Sequence, residues 1–239
     1  MLPGEIMRAP SGQAIFEEDL GLMRLMAVYG FVKWHDELIP LNSGIFTHVY
    51  VGGREDITKH PDLEWLLGEK FSERIFTLFN MSERRQVCLI GVPTAGTTIA
   101  QACVMASYHR RIKIGGRYIC HQIMREIKKQ HGKNLQWVDG KPDPEKQCYL
   151  IIDNTVTSGK SYLAAYEKLN EDGYPIADIL GHAVVDRQQG GDKKLQEQRI
   201  RVLYLYDLID IVHIFGVLKL WPEERVLAVK EEIANNQFA

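Results

Sequence analysis

The sequence predicts an α/β fold, a parallel β-sheet covered by helices on both faces and preceded by a small N-terminal addition. Three observations lead there. From Gln86 onward, apolar runs rich in β-branched residues alternate with stretches of helical spacing. The runs are continuously apolar, as strands buried on both faces must be. No repeat, low-complexity linker or shift in composition interrupts the 239 residues.

Taken in order, Ala14 to Gly30 places Phe16, Leu20, Met23 and Ala27 at helical intervals, with Gly30 as a stop. The stretch ELIPLNSGIFTHVYVGG reads as two strands around the turn Asn42-Ser43-Gly44. HPDLEWLLGEKFSERIFTLF returns to helical spacing, with Pro61 near its start. The alternation then runs QVCLIGVP (strand), TTIAQACVMASYH (helix), RYICHQIM (strand), QCYLIID (strand) and KSYLAAYEKLNEDG (helix). It continues with DILGHAVVD (strand), KKLQEQ (short helix) and RVLYLYDL (last strand), and ends in two helices broken at Pro222.

The composition, 45% hydrophobic and 25% charged, is that of an ordinary globular protein. A net charge of -2 lacks the electrostatic footprint of a nucleic-acid binder. No run reaches the length of a membrane span, and Glu5 interrupts any signal-like start. The cysteines 88, 103, 120 and 148 are far apart, without C-x-x-C spacing, and suit small buried hydrophobes. A soluble protein of a reducing compartment, the cytoplasm, is expected.

The chemistry centres on CYLIIDNTVTSGKSYLAAYEKL, Cys148 to Leu169. An apolar strand ends on Asp153 and Asn154 and passes through a polar turn into a helix. Such a turn presents backbone N–H groups and a positive dipole end to an anion. Read by shape alone, it is equally an N-capped βα connection. A nucleotide-triphosphatase loop would need glycine at 154, where the chain has asparagine, so that reading fails on spacing.

The thirteen residues Tyr149 to Ser161 resemble the binding loop of the type I phosphoribosyltransferases: four apolar residues, an acidic pair, two residues, then Thr-small-Gly and, after Lys160, the hydroxyl residue Ser161. Further segments resemble the orotate branch in the same order. LIGVPTAGTTIA is similar to its pyrophosphate loop, REIKKQHG (Arg125 to Gly132) to its mobile catalytic loop, and VVDRQQGG to its base-reading segment. LNSGIFTHVYVGGRED is similar to its hood over the base. Together they span about residues 38 to 191.

The resemblance implies a type I phosphoribosyltransferase-like sheet with a helix and hood over residues 1–60, a core sheet over 86–207 and C-terminal helices over 208–239. Phosphoribosyl pyrophosphate would be held by Thr94, Ala95 and Gly96, and by Asp153, Asn154, Thr155, Val156, Thr157, Ser158, Gly159, Lys160 and Ser161. Arg125, Lys129, His131 and Asp153 would serve catalysis, and Arg187 and Thr157 the base. By composition alone, Arg125 to Gly132 is a solvated charged loop and Arg187 a surface salt bridge.

The implied activity is transfer of phosphoribosyl to orotate or a related base, with Mg²⁺ held mainly by substrate oxygens and no dedicated protein metal site. A homodimer sharing the catalytic loop is implied, with no nucleic-acid or membrane partner. The chain departs from the pattern at Asn154 (second acid), Asn42 (hood lysine), Glu126 (lysine after the loop arginine) and Ala95. These departures point to a second possibility, a weak or inactive homologue that senses phosphoribosyl pyrophosphate or a nucleotide. They also lead to the expectation that Asn154→Asp speeds the reaction. Purine salvage is a third possibility, and would want an aromatic platform in place of Arg187.

Overall fold

The computed structural model describes residues 2–41, 43–79, 83, 85–128, 136–138, 140, 143–174 and 179–237. Lys129, His131 and Asn42 therefore lie outside the described residues. Among the described residues, nine strands and eight helices follow in the order β1 (Met7–Arg8), β2 (Ala14–Ile15), α1 (Glu17–Val28), β3 (Val32–Pro40), β4 (Phe46–Val51), α2 (Glu55–Thr58), α3 (Pro61–Phe79), β5 (Gln86–Gly91) and α4 (Ala95–His109). Then come β6 (Cys120–Ile123), β7 (Gln147–Val156), α5 (Lys160–Glu171), β8 (Ile179–Asp186), α6 (Gly191–Glu197), β9 (Val202–Asp207), α7 (Leu208–Val217) and α8 (Glu223–Asn235).

The central sheet has the order β6-β5-β7-β8-β9, with every pair parallel. Central β7 shows why its sequence is continuously apolar. Leu150 and Ile152 enter one core with α4 residues Ile99 and Cys103. Tyr149 and Ile151 enter the opposite core with α5 residues Tyr162 and Tyr166. Period-two alternation therefore buries both faces.

From β5 the chain crosses through α4 to β6 on one side, and from β7 through α5 to β8 on the other. Crossovers of one hand in opposite directions put α4 and α5 on opposite faces. The carboxyl ends of β5 and β7 therefore diverge and leave a crevice where ligands bind in open parallel sheets.

Several expected boundaries shift, two of them in the N-terminal addition. The first helix begins at Glu17, because Ala14 and Ile15 pair with Arg8 and Met7 as a short hairpin. Two-residue strands are too short for periodicity to reveal. The hood hairpin begins at Val32, five residues before the expected start, and pairs Val32 with Val51 and Pro40 with Phe46.

The hood is a separate two-stranded sheet, held by the C-terminal helices. Trp34 stacks on His48 at 4.7 Å and meets Trp221 edge-on at 6.1 Å. Glu232 of α8 accepts hydrogen bonds from the Thr47 hydroxyl at 2.6 Å and the His48 N–H at 3.1 Å.

Asp19, 1% exposed, joins three elements. It accepts from the Phe16 N–H at 2.9 Å and the Tyr206 hydroxyl at 2.5 Å, and pairs with Lys70 at 2.5 Å. Asp19→Ala would strand a buried hydroxyl and leave a cation unpaired, costing about 3–5 kcal/mol. Thermal unfolding should then show a melting point lower by roughly 6–20 °C. A shift below about 2 °C would remove Asp19 as a structural tie.

Candidate active site

The crevice is closed from one side by the turn after β5. A Cβ on Gly91 would lie 2.3 Å from the Thr97 Cα, and one on Gly96 only 2.0 Å from the Ile152 carbonyl oxygen. Gly91 lets the start of α4 press against β5, and Gly96 lets it press against β7. The Val92 N–H donates to the same Ile152 oxygen at 2.8 Å. The Pro93–Thr94 peptide is cis.

The other side is the extension of β7. Asp153 to Val156 stay extended, Thr157 and Ser158 turn, and Gly159 with φ +76 opens α5. Gly159 is needed twice, for its left-handed backbone and because a Cβ would lie 2.8 Å from the Leu195 Cγ. It is thus packed against Leu195 of α6, so the turn is held from behind as well as shaped for a ligand. Gly191 supports the turn from behind, where a Cβ would meet the Thr157 oxygen at 2.3 Å.

A cavity of ≈ 420 Å³ lies between these walls and the hood. Every residue from Asp153 to Ser161 lines it, as do Thr94 and Ala95, whereas Gly96 sits behind them as packing. The hood supplies Pro40, Leu41, Ser43, Tyr50, Val51, Gly53 and Arg54. Of these, Arg54 is the functional candidate that the sequence did not single out. Its Gly-Gly-Arg setting, a cation just after two glycines at a strand end, was the available signal. The hydroxyl oxygens of Ser43 and Thr155 are buried on this lining without a hydrogen-bond partner.

Asp153 is 5% exposed and accepts the Asn154 N–H at 2.8 Å. Burial pushes its carboxyl up to about 7, opposed by that N–H and by the Arg54 guanidinium. The Asn154 side chain does not project freely toward a ligand, because its amide donates to the Gly52 carbonyl of the hood.

Two expected residues stand apart from the cavity lining. Arg125 folds back onto the β6–β7 connection, where its guanidinium donates to the Trp137 carbonyl and its N–H to the Gln136 carbonyl. Arg187 is 2% exposed, so it is no surface salt bridge. It donates to the Val49 carbonyl at 3.0 Å, Thr47 Oγ1 at 3.3 Å and Gln189 Oε1 at 3.0 Å, behind strand β4. Burial lowers its pKa to about 10, with Glu232 opposing. Among the described residues no three His, Cys, Asp or Glu side chains cluster as metal ligands, and no helix is long and apolar enough to cross a membrane.

The Asp153 shift gives a pH test. A carboxyl whose folded value is raised stabilises the fold fully below its unfolded value near 4, and that term is lost as pH rises through about 7. Asp153→Asn, which cannot ionise, should therefore gain on the order of 2–4 kcal/mol over the parent at pH 8. The gain should shrink toward pH 5 in paired melting curves. Parallel curves at all pH values would show that Asp153 is not the group titrating.

No family model matches the chain. It is 28% identical over 177 residues to the orotate phosphoribosyltransferase of Leptospira biflexa, covering 74% of this chain and 89% of that protein. Among solved structures, Leishmania donovani UMP synthase superposes with a TM-score of 0.70 at 16% identity, over 90% of this chain and 42% of that one. Mycobacterium tuberculosis orotate phosphoribosyltransferase in complex with phosphoribosyl pyrophosphate superposes with a TM-score of 0.55 at 19% identity, over 81% and 98%. The chain has the type I phosphoribosyltransferase fold, and its sequence is similar to the orotate branch of that family.

Proposed function

We propose that the protein transfers the phosphoribosyl group of phosphoribosyl pyrophosphate to orotate, releasing pyrophosphate and forming orotidine monophosphate in pyrimidine biosynthesis. The observation that carries this reading is the cavity at the switch point, which unites the β5–α4 turn, the β7–α5 loop and the hood. The solved neighbour that binds phosphoribosyl pyrophosphate supports the same substrate.

In this reading, the N–H groups from Thr157 to Ser161 at the start of α5 hold the 5-phosphate, with the Thr157, Ser158 and Ser161 hydroxyls as further donors. The start of α4 at Thr94 and Ala95 faces the pyrophosphate, and Asp153 accepts from the ribose hydroxyls. The lone pair of the base nitrogen attacks C1 as the bond from C1 to the pyrophosphate oxygen breaks, and that electron pair leaves with pyrophosphate. Positive charge develops on the sugar and negative charge on the leaving group. The residues act by aligning the reactants and stabilising that charge. Arg187, sealed behind β4, acts on the base through the hood strand that it holds, and Thr157 faces the base directly.

The donors suit Mg²⁺ held mostly by substrate oxygens and water, since Asp153 is the carboxylate on the lining. When bound, the ion neutralises pyrophosphate charge. Arg125 is bound to the Trp137 carbonyl and does not line its own cavity, which supports a homodimer in which the loop of Arg125, Lys129 and His131 completes the neighbour's site; we place this enzyme in the cytoplasm. One observation favours a second reading, a sensor without turnover: the Asn154 amide is already committed to the hood. Pyrophosphate release with Mg²⁺ and orotate separates the two.

Two results are expected. Ser158→Asp puts a carboxylate where the phosphate binds, so the KM for phosphoribosyl pyrophosphate should rise about 30-fold or more with folding intact. An unchanged KM would move the phosphate elsewhere. Mixing inactive Lys129→Ala with inactive Asp153→Ala should restore part of the activity, because one site of the hybrid keeps both residues. No restoration after confirmed subunit exchange would remove the shared loop.

A further inference from the structure

Asn154 occupies the second position of the acidic pair, yet its geometry is that of a joint. Its side-chain amide donates to the carbonyl of Gly52, 102 residues earlier in the chain. A Cβ on the next residue, Gly53, would lie 2.7 Å from both the Asn154 Cβ and Nδ2. The amide therefore lies directly against the Gly52-Gly53 backbone, which has room for it only because position 53 has no side chain.

The same two glycines are fixed from their other sides. The Gly52 N–H donates to the Phe31 carbonyl at 2.6 Å, and the Gly53 N–H to Asp56 Oδ2 at 3.4 Å. A Cβ on Gly52 would fall 2.0 Å from that Asp56 oxygen. Arg54 follows at once, on the cavity lining and close enough to Asp153 to favour its ionised form.

We infer that Asn154 is a positioning residue, a latch that ties the end of the hood to the β7–α5 loop and so sets Arg54 over the cavity, rather than a ligand of the ribose. The inference deepens the proposed function and rests on it for the role of Arg54.

The chemistry requires an amide. Asparagine donates through its NH₂, whereas an aspartate at neutral pH only accepts. A carboxylate there would face the Gly52 carbonyl oxygen with no hydrogen between them. Asparagine at 154 is then matched to the Gly-Gly-Arg hood instead of being a degraded acid, and the expected benefit of Asn154→Asp reverses sign.

The test has two arms. Hydrogen–deuterium exchange of the ligand-free protein follows the amides of Tyr50–Glu55, and steady-state kinetics follow kcat/KM for phosphoribosyl pyrophosphate with orotate. Asn154→Asp and Asn154→Ala should both speed exchange in that segment by about tenfold, the loss of one buried hydrogen bond. Asn154→Asp should lower kcat/KM about tenfold or more in the parent and less than about twofold in an Arg54→Ala background, because the latch acts through Arg54.

Unchanged exchange in both variants overturns the latch. Faster turnover in Asn154→Asp makes residue 154 a ribose ligand and likewise overturns it. A full penalty retained without Arg54 refutes the route through that arginine. Should the parent release no pyrophosphate, the proposed reaction fails by itself, and the exchange arm still decides the latch.

Discussion

The site depends on one topological constraint, the reversal of strand order between β5 and β7. Parallel neighbours need crossovers, and crossovers of one hand send α4 and α5 to opposite faces when the chain moves in opposite directions. Two helix N-termini are thereby brought to the same crevice from different walls. Each brings free N–H groups and the positive end of a dipole. A ligand with anionic groups at both ends fits that arrangement without any cluster of cationic side chains. A net charge of -2 is therefore no obstacle to the proposed anionic substrate.

The glycines follow from the same constraint. Gly91 and Gly96 let α4 approach β5 and β7 closely, and Gly159 and Gly191 allow α6 to back the β7–α5 loop. At each place a methyl group would meet a neighbour at 2.8 Å or less. The loops around the cavity are held by packing from behind, which keeps their inner faces free for a ligand. Asp153 shows the electrostatic consequence. A carboxylate buried this far ionises reluctantly, and Arg54 and the Asn154 N–H moderate that tendency. Ionisation of Asp153 is therefore sensitive to where the hood carries Arg54.

Much of this was legible in the sequence, for reasons that can be stated residue by residue. Strands β5 and β7 are apolar runs bounded by polar turns, so burial on both faces marked them directly, whereas the edge strand β6, Cys-His-Gln-Ile, is only half-buried. Asp153 to Ser161 kept its spacing within one continuous segment, so the whole run could be placed and all of it lines the cavity. Contacts across long separations were not legible. Nothing near Arg187 announces that Thr47 and Val49, about 140 residues earlier, will accept its hydrogen bonds. Nor does Glu232 in a helix of ordinary charged composition announce that it will bond to the hood. Arg125 kept its place in a family-like segment, but its guanidinium turned to the Trp137 carbonyl, a local contact that spacing does not encode.

These unread contacts share a theme, because most of them concern how the hood is held. The hairpin β3–β4 has no place in the main sheet and must gain its position from side chains. On one edge, Glu232 binds Thr47 and His48 while Arg187 binds Thr47 and Val49. The buried guanidinium and the α8 carboxylate thereby share one hydroxyl, and the carboxylate offsets part of the cost of burying the cation. At the far end of β4, Asn154 takes over at Gly52. Besides the Trp34–Trp221 contact, strand β4 is therefore fastened at two points five residues or fewer apart, one beside Arg187 and one beside Asp153-Asn154. Movement of this short strand would be felt at both, so in the proposed reaction the geometry of base and ribose recognition would be set through a single element that belongs to neither loop.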